Sequence, residues 1–295
     1  MKILYVAKHH QRSSNDDEGS VSYALQALGH EVIEMQEQHG ARDINKHRAD
    51  FVLFHHWREC TVASRLPKVF WCFDLIDYPD PSIEVRCKTR VRWAEQARDA
   101  SIIGFHTDGD WVARDTTGKL HWLMQGADER IVGRGDPKRV TSKFDILFTG
   151  MSRGGGRLRE SFVEEMHHRW SSKFTQIPAG SYRETLASVL ANTKIAVAPD
   201  SPCTPRYWSN RVYTTLGFGG FLLHPYCDGL LHHYTANELA MYGDREHLHS
   251  IIDYFLAMTA EQRTEISERG MQRTMKDHLY RHRVAELIEK VKGVL

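Results

Sequence analysis

Glycines, arginines and carboxylates that follow apolar runs are the residues of this chain equipped for chemistry. The richest stretch is Trp208-Ser-Asn-Arg-Val-Tyr-Thr-Thr-Leu-Gly-Phe-Gly-Gly-Phe-Leu-Leu-His-Pro225, just after an apolar run ending in Pro199-Asp200. Its pattern predicts a loop, a short helix, a glycine turn and a buried strand. Asn210 and Arg211 then fall at the helix start, where backbone N–H groups are unpaired and the dipole is positive. An arginine there suits a phosphate. Gly217, Gly219 and Gly220 allow the sharp turn into Phe221-Leu-Leu223. Such an arrangement holds a nucleoside diphosphate without a P-loop.

A second stretch, Phe148-Thr-Gly-Met-Ser-Arg-Gly-Gly-Gly-Arg-Leu-Arg-Glu160, takes a strand through a glycine-rich loop into a helix. Its backbone N–H groups, Gly150 among them, suit an anion nest, with Arg153, Arg157 and Arg159 adding charge. A plain flexible loop with a basic helix start is the alternative. The same loop fits the GxSxG nucleophile elbow at Ser152, with Asp200 and His224 downstream in the hydrolase order. The surrounding arginines suit an anion better than an acyl group.

Carboxylates recur at strand ends. In Val69-Phe-Trp-Cys-Phe-Asp74-Leu-Ile-Asp77, Asp74 is placed either to deprotonate a hydroxyl or to cap the turn before Pro79-Asp-Pro81. Glu18, in Asn15-Asp-Asp-Glu-Gly19, is the site carboxylate after the first strand, with Asp16 or Asp17 as a helix cap. Asp108-Gly-Asp110 has the DxD form of a metal–diphosphate clamp, but a structural turn is favoured. Adjacent histidines (His9-His10, His55-His56, His167-His168, His232-His233) point apart on a regular helix or strand, so they are not expected to be ligand pairs. His278 and His282 fit a helix surface, and His10 and His55 fit a cleft lining. No metal site is expected. Arg86-Cys-Lys-Thr-Arg90-Val-Arg92-Trp93 is a basic patch with an aromatic, suited to a phosphate backbone or to a solvated helix face.

These residues need a scaffold. Apolar runs at Ile3–Ala7, Glu31–Met35, Phe51–Phe54, Val69–Phe73, Ser101–Phe105 and His121–Met124 alternate with helical spacing. The alternation restarts at Asp145–Phe148 after the polar stretch Gly133–Arg139 and ends in three helices, the last from His278 to Lys292. Alternation of this kind implies βαβ units and parallel sheets. The expected architecture is α/β, with two doubly wound domains, residues 1–136 and 140–276, and a last helix, residues 277–295, crossing back to the first. Of 295 residues, 41% are hydrophobic and 26% charged, and the net charge is +1, so any basic surface is local. Five scattered cysteines without a CxxC pair, and no apolar run of membrane-spanning length, fit a reduced, cytoplasmic protein.

Taken together these segments resemble the GT-B glycosyltransferases, most clearly from Trp208 to Val291 and in the CgeB-like and family-1-like members. The matching residues are Ser209-Asn-Arg-Val-Tyr213, Gly217–Gly220, Phe221–Leu223, Asp228-Gly229 and His278-x-Tyr280-x-His282-Arg283 in the second half. Asn15–Gly19 and Leu123-Met-Gln-Gly-Ala-Asp128 match in the first. The resemblance implies two Rossmann-like domains, a nucleoside-diphosphate sugar as donor (a UDP-sugar favoured), and no metal or other cofactor. Its donor-binding residues here would be Gly150, Ser152, Arg153, Arg157, Arg159, Asn210, Arg211 and Thr214. Thr214 stands where the family has the glutamate that grips the donor ribose. No E-x7-E pair is present, since Arg206 occupies the position eight before it. That departure favours inversion assisted by a base, Asp74. A fainter similarity to the phage DNA β-glucosyltransferase, through Glu18, Asp74 and Phe148–Ser161, implies a hydroxymethylated pyrimidine in duplex DNA as acceptor, in host cytoplasm. Arg90, Arg92, Trp93, His10 and His55 would lie on the acceptor side. A glycan or small-molecule acceptor, a serine hydrolase and a non-catalytic nucleotide- or DNA-binding relic are the alternatives.

Overall fold

The computed structural model describes residues 1–9, 17–37, 41–56, 58–76, 78, 82, 84–133, 142–152, 156–178, 183–200 and 202–295. His10, Asp16, Asp77, Arg153, Gly154, Gly155 and the turn-rich stretch 134–139 lie outside them. The strands are β1 (Lys2–Ala7), β2 (Glu31–Gln36), β3 (Phe51–His55), β4 (Lys68–Cys72), β5 (Ile103–His106), β6 (Leu120–Trp122), β7 (Phe144–Thr149), β8 (Phe174–Ile177), β9 (Thr193–Val197), β10 (Leu222–Pro225) and β11 (Ala240–Tyr242). The helices are α1 (Asp17–Ala27), α2 (Ala41–Ile44), α3 (Glu84–Ala100), α4 (Gly109–Val112), α5 (Arg157–Trp170), α6 (Arg183–Ala191), α7 (Arg211–Gly217), α8 (Arg245–Ala257), α9 (Ala260–Asp277) and α10 (Tyr280–Lys292).

The chain divides into two compact units. The first comprises Met1–Pro79, Ile83–Gly126 and Tyr280–Leu295. Its six strands pair in parallel in the order β2-β1-β3-β4-β5-β6. The strands are continuous apolar runs because a parallel sheet is covered on both faces. One face carries Tyr5, Phe51, Leu53 and Trp71, packed with Tyr280, Val284, Leu287, Ile288 and Val291 of α10. Those α10 positions recur at helical spacing and form one apolar stripe. The Tyr280 hydroxyl donates to Asp17 Oδ1 at 2.6 Å, so Asp17 anchors α10.

The second unit comprises Asp80–Ser82 and Ala127–Leu279, with strand order β11-β10-β9-β7-β8, also parallel. Its core joins Phe148, Phe162, Met166, Ile195, Val197, Leu223 and Ile252. A capping box of Thr259 and Gln262 starts α9. The helix expected to run from His278 begins instead at Tyr280. His278 is the buried cap ending α9 and donates from its ring to the His233 carbonyl at 2.9 Å, so it shares no helix surface with His282. Among the described residues no helix is long and apolar enough to cross a membrane.

In both sheets the winding reverses beside the first strand, between β1 and β3 and between β7 and β9. The crevice outside the carboxyl ends of strands at such a point is where doubly wound sheets bind ligands.

Candidate functional site

In the second unit the carboxyl end of β7 meets Arg211. The Nε and Nη2 groups of Arg211 both donate to the Thr149 carbonyl, at 3.1 and 3.0 Å, and Nη1 donates to Ser209 Oγ at 3.0 Å. The guanidinium also lies 5.1 Å from the centre of the Phe148 ring. Ser209 of the Ser-Asn-Arg run thus braces the arginine. Tyr213 faces the core, where its hydroxyl accepts from Trp208 Nε1 at 3.2 Å. No carboxylate among the described residues pairs with Arg211. Burial, with Arg159 as a nearby positive charge, lowers its pKa to about 10, so it remains a cation at neutral pH. A guanidinium has five N–H donors. Three are spent on Thr149 and Ser209, which leaves two for a ligand.

Gly150 makes this placement possible. Its φ is +145°, and a Cβ there would stand 2.9 Å from Arg211 Nη2 and 3.2 Å from Phe148 Cζ. Gly150→Ala is therefore expected to lower stability by about 1–3 kcal/mol through backbone strain and to displace the arginine. Thermal melts with and without UDP check this; an unchanged melting temperature and nucleotide affinity would remove the constraint.

A connected polar network stands beside β9. Trp170 Nε1 donates to His249 Nδ1 at 3.1 Å, and His249 Nε2 donates to Glu165 Oε1 at 2.7 Å. Arg245 spans Glu165 Oε2 and Asp200 Oδ2, both at 2.9 Å, and donates to the Leu158 carbonyl at 3.0 Å. Burial alone would raise the Glu165 pKa, but its bonds to His249 and Arg245 outweigh it and lower it. The network fixes Asp200 just past β9. The other oxygen of Asp200, Oδ1, is buried without a hydrogen-bond partner among the described residues. A buried polar oxygen of this kind calls for a donor, and a ligand hydroxyl supplies one. Sequence reasoning missed Arg245, Glu165 and His249, because their partners are distant in the chain.

The hydrolase arrangement does not form. Asp200 is engaged by Arg245, while His224 Nδ1 donates to the Pro225 carbonyl at 2.8 Å. No described carboxylate orients His224 toward Ser152. Among the other expected donor residues, Arg157 is exposed and Arg159 partly buried at the start of α5. Asn210 precedes α7 with αR backbone and makes no side-chain cap. Thr214 lies partly buried in that helix.

In the first unit, Asp74 follows β4. Arg90 holds Asp74 Oδ1 at 3.0 Å and donates to the Leu75 carbonyl at 2.6 Å. Arg90 therefore faces inward rather than toward a phosphate backbone, and Trp93 packs against the core behind β4. Arg92 is exposed. Asp108 is the favoured structural turn: Oδ1 caps Trp111 N and Oδ2 accepts from Ile76 N, both at 2.9 Å.

Glu18, His55 and His56 converge where β1 and β3 end, each with a ligand atom within 4.8 Å of the others. The expectation that His55 and His56 point apart is overturned. His56 has φ +84°, which swings its ring to 4.7 Å from that of His55.

Two doubly wound parallel sheets, each with its switch point beside the first strand, place the chain in the GT-B fold class. Sucrose-phosphate synthase from Thermosynechococcus elongatus is similar, with a TM-score of 0.69 at 10% identity, covering 99% of this chain and 98% of that one. Anabaena HepE in complex with UDP and glucose gives 0.65 at 11% identity, covering 99% and 100%. Trehalose-6-phosphate synthase gives 0.67 at 11% identity, covering 100% of both chains. At these identities the likeness is one of fold. Residues 143–289 match the family described as glycosyl transferase-like, and together with the fold this supports a transferase enzyme. No curated protein matches the chain.

Proposed function

We propose that the enzyme moves a sugar from a nucleoside-diphosphate sugar, a UDP-sugar favoured, to an acceptor hydroxyl with inversion. The observation that carries this is Arg211, a cation held at the switch point of the second sheet with no carboxylate partner among the described residues. Its two remaining N–H groups suit the diphosphate. Arg157 and Arg159, with Arg153, add positive charge as the leaving group forms. The orphan Oδ1 of Asp200 suits a donor hydroxyl. HepE, of the same fold, has been seen with UDP and glucose. In the reaction the acceptor oxygen attacks the anomeric carbon, the bond to the diphosphate breaks, and the diphosphate leaves with the electron pair. Asp74 takes the acceptor proton, with Arg90 fixing its carboxylate.

Asp74→Asn is expected to lower kcat by about 100- to 10,000-fold, the range for a lost general base, while UDP binds as before. Single-turnover assays with donor and acceptor, beside calorimetry of UDP, test this; unchanged turnover would dismiss Asp74. For the acceptor, a 5-hydroxymethylpyrimidine in duplex DNA is supported by the sequence similarity and by exposed Arg86 and Arg92 on α3. The inward turn of Arg90 speaks against it. Filter binding of hydroxymethylated duplex at low salt, where phosphate contacts are strongest, decides the matter. No retention there leaves a glycan or small-molecule hydroxyl as acceptor.

A further inference from the structure

We propose that Glu18, His55 and His56 hold one divalent transition metal of the zinc class where β1 and β3 end. All three residues belong to the first unit, so the proposal stands apart from the donor reading. One ligand atom from each lies within 4.8 Å of the other two. Donors about 2.0–2.2 Å from a zinc ion stand roughly 3–4 Å apart, so side-chain adjustments suffice to close the set.

The supporting contacts have the form a metal histidine requires. His55 Nδ1 is 2.8 Å from the Tyr5 hydroxyl, which fixes the ring and leaves Nε2 as the ligand nitrogen.

The backbone supplies the second, independent observation. His56 is the one non-glycine with positive φ among the described residues. Side chains rarely adopt that conformation, and such strain persists where function requires it. Here it turns the second imidazole, which regular strand geometry would send to the opposite face, toward the first. Two imidazoles and one carboxylate suit zinc, cobalt or nickel better than magnesium or calcium. Three protein ligands leave a position open for water or for an oxygen of a bound molecule.

The test is to strip the full-length chain of metal and titrate it with Co2+, following the visible absorption of the bound ion, then to displace it with Zn2+. One equivalent is expected to bind. Glu18→Gln and His56→Gly are each expected to weaken it at least tenfold. His56→Gly has a second readout, because glycine accepts φ +84° without strain: its melting temperature without metal should rise as binding falls. A variant with exposed His167 and His168 both changed to Ala should bind as the parent does, which separates this site from surface histidines. No bound equivalent, or affinity unchanged in both Glu18→Gln and His56→Gly, would overturn the proposal. Circular dichroism verifies that each variant is folded, and should His56→Gly fail there, Glu18→Gln decides alone.

Discussion

Arg211→Ala is expected to bind UDP at least about 100-fold more weakly than the parent, since each charge-assisted hydrogen bond is worth about 1.5–3 kcal/mol and two N–H groups remain for the proposed diphosphate. The apo protein should melt at nearly the same temperature. The substitution strands the Thr149 carbonyl, but it also removes a partly buried cation that has no carboxylate partner among the described residues. The two effects oppose each other. What disappears is the stabilisation UDP confers, about 2.7 kcal/mol at a ligand concentration 100 times Kd. Arg211→Lys separates charge from geometry. An ammonium keeps the charge but cannot reproduce the fork that grips Thr149 while facing a ligand. Calorimetry of UDP binding to all three proteins checks the order parent, Lys, Ala. A UDP-induced shift of full size in Arg211→Ala would remove the arginine from the donor site and leave the glycine-rich loop and α5 as the remaining anion site.

The second large effect is loss of stability in acid. His106 and His224 are both buried. Burial lowers the His106 pKa to about 3, and neither of its ring nitrogens has a hydrogen-bond partner among the described residues. Burial lowers the His224 pKa to about 4, with the Pro225 carbonyl opposing the shift and Arg211 adding to it. The unfolded chain then binds the extra protons, so the stability these groups confer is fully present above pH 6.5. It is lost as pH falls from 6.5 toward 4 for His224 and toward 3 for His106. Each costs about 1.4 kcal/mol per pH unit within its window. One such group in each unit is enough to consume a sizeable part of the roughly 5–15 kcal/mol that holds an ordinary domain. Because the histidines lie in different units, calorimetry between pH 7 and 4 has a further control. His106→Leu should flatten the acid dependence of the first unit's transition and leave that of the second. An acid dependence identical to the parent's would show that His106 is not the group titrating.

The alternation of short apolar runs with helical spacing made both sheets readable, because a parallel strand buried on both faces leaves no polar periodicity to confuse it. Arg157–Trp170 and Phe174–Ile177 run as their patterns imply. The contacts that assemble the site were not readable. Trp170, His249, Glu165, Arg245 and Asp200 form one network through partners as much as 84 residues apart. Spacing along a chain carries no signal for that. Arg90 read as part of a solvated basic face, and only the packing of α3 turns it onto Asp74. His55 and His56 are the sharpest case. No glycine marks the left-handed turn at His56, so adjacency implied divergence where the backbone produces convergence.

The first unit's core contains Ile3 and Tyr5 from one end of the sequence and Val284, Leu287 and Val291 from the other, with almost the whole second unit between them. A ribosome therefore delivers residues 127–279 before α10 emerges to cover the first sheet. The second unit is nearly continuous and can condense while it is being made, as domains generally do during synthesis. The first must wait with its apolar face uncovered. Newly made chains stalled before residue 280 should bind chaperones through that face and release them once α10 has docked. The order of folding is then the reverse of the order of synthesis.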